Sequence, residues 1–435
     1  MIKVIGGGLA GCEAAWQLAR YGLEVELYEM KPQKFSPAHK NVNLAELVCS
    51  NSLKASRLDS AAGLLKTEME ILGSLTVPCA KECAVAAGGA LAVDREKFSA
   101  LVTERIKNNP KIKLISKEID TIPEGDVIIA TGPLTSDNLA ENIKTLCNGS
   151  LSFYDAAAPI VSYESLDKDK VFFASRYDRG DSDYINCPMN KEEYLAFYNE
   201  LINAQTAELK GFEKADGYKV YEGCMPIERL AKRGEDTMRF GPLKPVGLID
   251  KRTGKRPYAG VQLRREDESG TMFNLVGFQT NLKFGEQKRV FSMIPGLENA
   301  EFFRYGVMHR NSFIDSPRLL NSDFSMRDNG DIYFAGQITG VEGYMESAAS
   351  GIIAGIAMAR KLKGLEPLEM PKVSMIGALC GYISNENVVD FQPMGANMGI
   401  LPALDENIRD KKKKYMMLAE RSVAALQQEI DAKDI

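Results

Sequence analysis

A chain of 435 residues, 45% hydrophobic and 26% charged, is long enough for two or more domains with buried cores. Its net charge of −5 argues against a protein that coats nucleic acid nonspecifically, although a local basic surface is compatible with that charge. No apolar run approaches the length of a membrane span, and the first predicted strand begins at Ile2, so we expect a cytoplasmic protein without a signal peptide.

The chain has few histidine and cysteine residues at spacings that would bind a metal. It has eight cysteines and two histidines, and only Cys79 and Cys83 lie close together in sequence. No zinc or iron–sulfur spacing occurs, and cysteines of a cytoplasmic protein are expected to be thiols. We therefore expect no metal site.

The first thirty residues predict a strand, a glycine turn, a helix and a second strand. Ile2 to Ile5 is a short apolar run, and Cys12 to Tyr21 places small apolar residues at helical spacing. Glu24 to Tyr28 then alternates polar and apolar residues, as a half-buried strand does. This order indicates a βαβ unit.

The turn of this unit has the pattern G-x-G-x-x-G. Gly6 permits a tight turn, Gly8 lets a pyrophosphate approach the backbone, and Gly11 permits close packing of helix on strand. Glu29, 18 residues after Gly11, lies where an acidic side chain bonds a ribose hydroxyl. The motif predicts a dinucleotide site and leaves FAD and NAD open. The residues predicted to line it here are Gly6, Gly7, Gly8, Leu9, Ala10, Gly11 and Glu29.

Cys49 comes after the second strand, in the stretch AELVCSNSLKA. In a βαβ unit, the segment after the second strand lies close to the bound dinucleotide. Two interpretations remain open for this cysteine. A buried structural thiol is the commoner role, whereas the polar neighbours Ser50, Asn51 and Ser52 favour a thiol beside the cofactor.

A returning strand is predicted at Asp126 to Ala130, followed by Thr131 and Gly132. Flavoproteins with two dinucleotide-binding motifs show a strand followed by A-T-G where the chain returns beneath the cofactor. The chain before this strand is predicted to form helices at 61–72 and 95–106, the second capped by Asp94, and a strand at 113–115.

Residues 150 to 320 have a different composition, with mixed charge and many aromatic residues. This composition predicts an inserted α+β domain. Within them, five cations fall in 14 residues. They are predicted either to lie on a solvated hairpin or to bind phosphates or an anionic ligand: Arg252, Lys255, Arg256, Arg264 and Arg265.

The nucleotide-binding pattern returns near the end of the chain. A strand at Asp331 to Ala335 is followed by the loop from Gly336 to Gly340 and a helix of small residues from Glu346 to Ala359. Such a segment brings a helix N-terminus to the flavin and pyrophosphate, which favours FAD over NAD. A final helix is predicted from near Asp405, with a basic run at 411–414 that is a candidate RNA contact.

Several long motifs resemble the folate- and FAD-dependent tRNA (uracil-5-)-methyltransferase family. They are AELVCSNSLKA, YEGCMPIE, RFGPLKPVGL, FGEQKRVFSMIPGLENAEF, YGVMHRNSF and FAGQITGVEGYMESAASG, and they extend over nearly the whole chain. The resemblance implies an α/β fold: a FAD-binding, Rossmann-like domain of the two-dinucleotide-binding type, with an inserted α+β domain. We expect the FAD-binding domain at 1–180 and 316–435 and the insertion at 181–315.

The resemblance also implies a reaction. The family uses 5,10-methylenetetrahydrofolate as carbon donor, NAD(P)H as reductant of FAD, and the T-loop uridine of tRNA as acceptor. No obligate protein partner is evident from the sequence. Among softer assignments, the resemblance places His309 near flavin and folate and Tyr344 beside the flavin. Arg252, Lys255 and Arg256 are the candidates for substrate binding, by charge.

The chemistry accounts for two cysteines in the family motifs. C5 of uracil is a poor nucleophile until a thiolate adds at C6, and a base must later remove the C5 proton. We predict Cys224 as the C6 nucleophile and Cys49 as the base or thiol partner at C5. Two alternatives stay open: the same reaction on a 23S ribosomal RNA uridine, and an NAD(P)H-dependent flavin oxidoreductase with a redox dithiol.

Overall fold

The computed structural model describes residues 1–147, 149–178, 184–207, 225–266, 270–388, 391–406 and 408–433, with the backbone alone at 150–157, 178 and 307–311. Within these residues no helix is both long enough and apolar enough to cross a membrane.

The described strands are numbered in chain order. They are β1 (Ile2–Ile5), β2 (Val25–Glu29), β3 (Ser52–Ala55), β4 (Ala84–Val85), β5 (Ala90–Val93), β6 (Ile112–Ser116), β7 (Val127–Ile129), β8 (Ser150–Ala157), β9 (Ile160–Ser162), β10 (Phe172–Phe173), β11 (Tyr184–Met189), β12 (Ala259–Arg265), β13 (Met272–Leu275), β14 (Phe302–Arg304), β15 (Val307–Ile314) and β16 (Ile332–Phe334).

The described α-helices are α1 (Leu9–Arg20), α2 (Ala61–Ile71), α3 (Thr76–Glu82), α4 (Arg95–Lys107), α5 (Asp137–Leu146), α6 (Lys191–Asn203), α7 (Ile227–Ala231), α8 (Thr237–Phe240), α9 (Phe284–Phe291), α10 (Ser316–Leu319), α11 (Tyr344–Leu362), α12 (Met375–Ile383) and α13 (Lys411–Lys433).

A five-stranded parallel sheet forms the centre of the nucleotide-binding part. Its order is β16-β7-β1-β2-β6, so the last strand of the chain lies beside strands from its first third. The residues of the three strands β1, β7 and β16 are almost continuously apolar, as expected of strands covered on both faces. The predicted βαβ unit, the returning strand and the late strand are confirmed.

Two helices on this sheet approach each other through glycine. A Cβ on Gly351 of α11 would lie 2.1 Å from the carbonyl oxygen of Ala10 in α1, and one on Gly355 would lie 2.8 Å from that of Ala14. Only a residue without a side chain permits such backbone contact. The predicted helix of small residues is thus explained by its packing on α1.

The carboxylate of Glu68 joins α2 to two more helices. It lies fully buried in α2 and accepts hydrogen bonds from the N–H groups of Met375 and Ile376, both 2.8 Å, and from the Ser422 hydroxyl. Burial raises the pKa of Glu68 to about 7, while these hydrogen bonds oppose the shift. These hydrogen bonds hold the N-terminal end of α12 and one side of α13 against α2.

The last helix begins later than predicted. We expected a start near Asp405, but α13 begins at Lys411. Asp410 accounts for the position, because its carboxylate accepts a hydrogen bond of 2.9 Å from the Lys413 N–H, as an N-cap side chain does. The basic run at 411–414 occupies the exposed first turn.

A second, six-stranded antiparallel sheet forms the inserted part, in the order β10-β11-β12-β13-β9-β14. It has its own apolar core, from Val161 to Ala300. The antiparallel ribbon β8-β15 runs between the two parts. On this pairing we propose that the insertion extends from β9 to β14, and thus begins before residue 181.

The glycine contact predicts opposite effects for two alanine substitutions in helices. Gly351→Ala is expected to lower the free energy of unfolding by about 1–3 kcal/mol, because the added methyl meets backbone at 2.1 Å. Gly381→Ala in α12, where nothing lies within 4 Å, is the matched control and is expected to raise it by up to about 1 kcal/mol. Urea unfolding measures both, and equal effects would contradict the close contact.

Candidate active site

The glycine turn after β1 has the predicted geometry. Gly6 has φ +104°, and a Cβ there would lie 2.5 Å from the carbonyl oxygen of Ala130. A Cβ on Gly11 would lie 1.8 Å from the Gly6 carbonyl oxygen. The surroundings of Gly8 are open, because no atom of the described residues lies within 4 Å of its Cβ position. Gly8 is also the N-cap of α1, so this helix begins without a hydrogen bond from a capping side chain. The space before this helix N-terminus is open to an anion.

Glu29 lies at the end of β2 and turns back to the same turn. Its carboxylate accepts hydrogen bonds from the Gly7 N–H at 2.8 Å and the Lys31 N–H at 3.0 Å. Each carboxylate oxygen has a second lone pair, so capacity remains for a ribose hydroxyl. That role stays a prediction.

The other predicted cofactor residues end at the same edge of the parallel sheet. Thr131 and Gly132 follow β7, and Gly132 has φ +67° with nothing within 4 Å of its Cβ position. Gly336 follows β16 with φ +87° and donates its N–H to the Ser350 hydroxyl at 2.7 Å. The carboxyl edge of such a sheet is where dinucleotides bind.

The start of α11 completes this edge and reaches Cys49. Gly340 has φ +82°, and Gly343, the N-cap of α11, has φ +124°. Tyr344 is the first residue of the helix. Its hydroxyl accepts the N–H of Cys49 at 2.7 Å and that of Ser50 at 3.1 Å. The half-buried Cys49 therefore lies at the helix N-terminus predicted to face the flavin.

The donor set at this edge fits FAD. Two places where a side chain would have room, Gly8 and Gly132, leave the backbone of the first turn and of the β7 loop accessible. α1 begins there without a side-chain cap, as does α11. These exposed backbone N–H groups suit a pyrophosphate. NAD alone would not require the second helix start.

Three arginines surround the loop that carries Cys49. We call residues 47–51 the Cys49 loop and Arg95, Arg264 and Arg304 the arginine cluster. Arg95 of α4 donates to the Leu47 carbonyl at 3.0 Å, and Arg304 of β14 donates to the Val48 carbonyl at 3.1 Å. The two carbonyls just before Cys49 are thus bound to guanidinium groups.

Arg264 binds the other side of the same loop. From β12 it donates to the Asn51 side-chain oxygen at 2.9 Å and to the Ser50 hydroxyl at 2.5 Å. Asn51 in turn donates to the backbone carbonyl of Arg265 at 2.7 Å. The interpretation as a solvated hairpin is wrong for Arg264, which is buried because its strand position faces the Cys49 loop, whereas binding of phosphate or an anionic ligand stays a prediction.

The arginine cluster was missed as a unit by sequence reasoning. Its members come from positions 95, 264 and 304, and no local motif joins them. Arg264 was recognised only as one of the basic segment. The signal available in the sequence was its place in a strand of alternating pattern, which turns every second side chain inward.

The remaining predicted substrate residues lie elsewhere. Arg252 is held by its neighbour Asp250 through hydrogen bonds of 2.9 and 2.8 Å, and this contact lowers the pKa of Asp250. Lys255 and Arg256 are exposed and line a surface cleft of about 560 Å³. Cys224 lies outside the described residues. His309 pairs through its backbone with Asp155 in the β8-β15 ribbon, and its side chain lies outside the described part of the chain.

The open space at Gly8 predicts a separation of flavin binding from folding. Gly8→Val is expected to leave the stability of the flavin-free protein within about 0.5 kcal/mol, since its backbone is extended and no atom of the described residues lies within 4 Å of the added Cβ. Bound FAD is expected to fall at least about tenfold, because the side chain occupies the place of the pyrophosphate. Flavin absorbance of the purified protein and thermal unfolding of the stripped protein measure the two effects; retained FAD would contradict the assignment.

Residues 1–366 match the family model described as glucose inhibited division protein A. Over 429 residues the chain is 57% identical to the Acetivibrio thermocellus protein named methylenetetrahydrofolate–tRNA-(uracil-5-)-methyltransferase TrmFO, covering 98% of each chain. It is 55% identical over 435 residues to the Enterococcus faecalis protein of the same name, covering 100% of this chain and 99% of that one.

Among solved structures, GidA of Aquifex aeolicus in its form II crystal has a TM-score of 0.71 with this chain. At 16% identity, over 99% of this chain and 73% of that one, the similarity shows a shared fold. The full-length sequence matches are much closer. The chain therefore belongs to the glucose inhibited division protein A family and, within it, to the methylenetetrahydrofolate–tRNA-(uracil-5-)-methyltransferases.

Proposed function

We propose that this protein methylates C5 of the T-loop uridine of tRNA, with 5,10-methylenetetrahydrofolate as carbon donor and FAD, reduced by NAD(P)H, as reductant. The full-length identity of 55–57% to proteins named for this reaction carries the proposal. The position of Cys49 supports it independently, because a thiol at the FAD-binding edge suits proton removal from a pyrimidine that reacts beside the flavin.

The cysteines have distinct proposed roles. Cys224 adds to C6 of the uracil ring, which gives C5 the electron density to accept the one-carbon unit. Cys49 then removes the C5 proton so that the bond between C6 and sulfur breaks. Burial distinguishes Cys49 from the other described cysteines, since the remaining six are buried whereas Cys49 is half-buried.

Bound FAD, once reduced, would supply the hydride that takes the transferred carbon from the methylene to the methyl level. The chain's contribution is binding and orientation. The glycine turn after β1 accommodates the pyrophosphate, Glu29 receives a ribose hydroxyl, and the Tyr344 hydroxyl holds the backbone of Cys49. The proton taken from C5 moves to the sulfur of Cys49.

Binding of RNA by a protein of net charge −5 requires local positive surface. Exposed Lys255 and Arg256 provide it on the insertion, together with the basic first turn of α13 at 411–414. Arg252 is a weaker candidate because Asp250 neutralises it. A cytoplasmic location and NAD(P)H as reductant belong to the same proposal, since tRNA and reduced nicotinamide are both cytoplasmic reactants.

A methylation assay tests the proposal. Purified protein receives FAD, NADPH and methylenetetrahydrofolate, with unmodified tRNA, the same tRNA lacking the T-loop uridine, or unmodified 23S ribosomal RNA. We expect 5-methyluridine only in intact tRNA. Cys224→Ala and Cys49→Ala are each expected to lower the rate at least about a thousandfold, because each removes a group that reacts covalently or transfers a proton.

The matched control for these variants is Cys83→Ala, a buried cysteine of the nucleotide-binding part away from the Cys49 loop. It is expected to keep the wild-type rate. Methylation of ribosomal RNA alone would retain the chemistry and overturn the acceptor. NADPH oxidation without methylation of any RNA would favour the flavin oxidoreductase.

Charge reversal tests the RNA surface. The double variant Lys255→Glu, Arg256→Glu is expected to weaken tRNA binding at least about tenfold at low salt, since it replaces two phosphate-binding cations by anions. Lys107→Glu, Lys117→Glu changes the net charge equally at exposed positions of the nucleotide-binding part and serves as control. Filter binding at several salt concentrations measures both; equal loss in the two variants would contradict a local contact.

A further inference from the structure

The Cys49 loop is bound by cations from both parts of the molecule. Arg95 comes from α4 of the nucleotide-binding part, whereas Arg264 and Arg304 come from β12 and β14 of the inserted sheet. Their contacts are with Leu47, Val48, Ser50 and Asn51, the residues on both sides of Cys49. All three guanidinium groups thus bind residues within two positions of Cys49.

The charges of the arginine cluster are only partly compensated. Arg95 forms an ion pair of 2.7 Å with Glu266, whose side chain is 2% exposed. The hydrogen bonds of Arg264 and Arg304 described above end on neutral groups. Burial lowers the pKa of both arginines, with Glu266 acting in the opposite direction. Among the residues that the structure describes around this loop, three arginines are therefore accompanied by one carboxylate that pairs with them.

The groups on α11 do not supply the missing negative charge. Burial raises the pKa of the Tyr344 phenol, so it is neutral at physiological pH. Glu346, close to it on the same helix, is paired with Lys54 at 2.7 Å. Among the described residues that face the loop, Cys49 is consequently the group whose ionisation the excess positive charge favours.

Arg304 also has unused donors. Its Nε and Nη2 atoms are buried and have no hydrogen-bond partner among the described residues. A buried donor left without an acceptor is destabilising, so an anion beside these atoms relieves a penalty already present in the fold. A thiolate is such an anion, because it accepts hydrogen bonds and carries a full charge.

We propose that the arginine cluster keeps Cys49 as a thiolate and fixes its loop against the inserted sheet. Arg264 and Arg304 are on this account positioning residues, and the insertion, besides carrying candidate RNA contacts, determines the reactivity of the cysteine. A thiolate surrounded by cations is stabilised relative to the thiol, whose proton passes to solvent.

The catalytic consequence rests on the proposed function. A thiolate can accept the C5 proton directly: the S–H bond forms, the C5–H electron pair becomes the C5–C6 double bond, and the bond from C6 to Cys224 breaks with its pair returning to that sulfur. A protonated Cys49 could not begin this step. The ionisation itself is independent of RNA and folate.

The pH dependence of alkylation tests the proposal without any substrate. The flavin-loaded protein, in a Cys224→Ala background, is treated with iodoacetamide; the thiolate attacks carbon and iodide leaves. Modification of the Cys49 peptide is followed by mass spectrometry. We expect a midpoint well below the ordinary cysteine value of about 8.5. Arg304→Met is expected to raise the midpoint by about one pH unit, equivalent to about tenfold less thiolate at neutral pH.

Two further variants separate charge from structure. Arg304→Lys keeps the charge and is expected to restore the midpoint to within about 0.3 units, whereas a purely structural role predicts that it behaves as Arg304→Met. Arg264→Met removes a cation from a different strand and is expected to raise the midpoint as well, so it decides the question should Arg304→Met fail to fold. Arg289→Met, at an exposed position of α9, is the control.

Unchanged midpoints in folded Arg304→Met and Arg264→Met would overturn the inference, as would an ordinary midpoint in the parent protein. The outcome is distinguishable from failure of the proposed function. If the midpoint is low and moves as expected, but Cys49→Ala still methylates tRNA, the arginine cluster is confirmed and the assignment of Cys49 as base is wrong.

Discussion

The close approach of α1 and α11 is the contact on which the dinucleotide site depends. The two helices are more than 300 residues apart in sequence, yet Gly351 lets the backbone of α11 rest on Ala10. This contact brings the start of α11 to the sheet edge where α1 begins. Neither end of the chain forms the site alone, because the glycine turn belongs to one and Tyr344 to the other.

The insertion adds positive charge to this site, because it supplies two of the three arginines around the Cys49 loop, Arg264 and Arg304. An acidic protein is a poor environment for a thiolate unless positive charge is concentrated near the sulfur. Arginine suits this task better than lysine, since a planar guanidinium can bind a carbonyl with one nitrogen and present others to an anion. Arg304 shows both features, with one nitrogen on Val48 and two without a partner among the described residues.

The parts of the fold that depend on local sequence were predictable. The turn at Gly6, Gly8 and Gly11 depends on residues within six positions of one another, and the buried strands are short apolar runs that a parallel sheet requires. The start of α13 was misplaced because a single capping side chain, Asp410, decides it. Propensity over a helical window does not locate such a residue.

The arrangement around Cys49 was not predictable for a different reason. The loop's polar neighbours indicated that Cys49 was not simply buried, but its partners are set by how two sheets meet. A run of cations looks like one surface in the sequence, whereas the fold separates it: Lys255 and Arg256 are exposed in the turn before β12, and Arg264 is buried within β12. Such long-range contacts leave no spacing to recognise.

The same separation links the candidate RNA surface to the cysteine. The exposed turn at 251–256 leads directly into β12, and β12 ends at Arg264 and Arg265 beside the Cys49 loop. A strand of this length extends roughly 20 Å and is stiffened by pairing with β11 and β13. A large substrate bound at the turn would therefore contact the segment that continues into β12. The far end of this strand holds Ser50 and Asn51 through Arg264 and Arg265. The insertion thus connects the candidate RNA surface with the loop of Cys49, the proposed base, through one continuous strand.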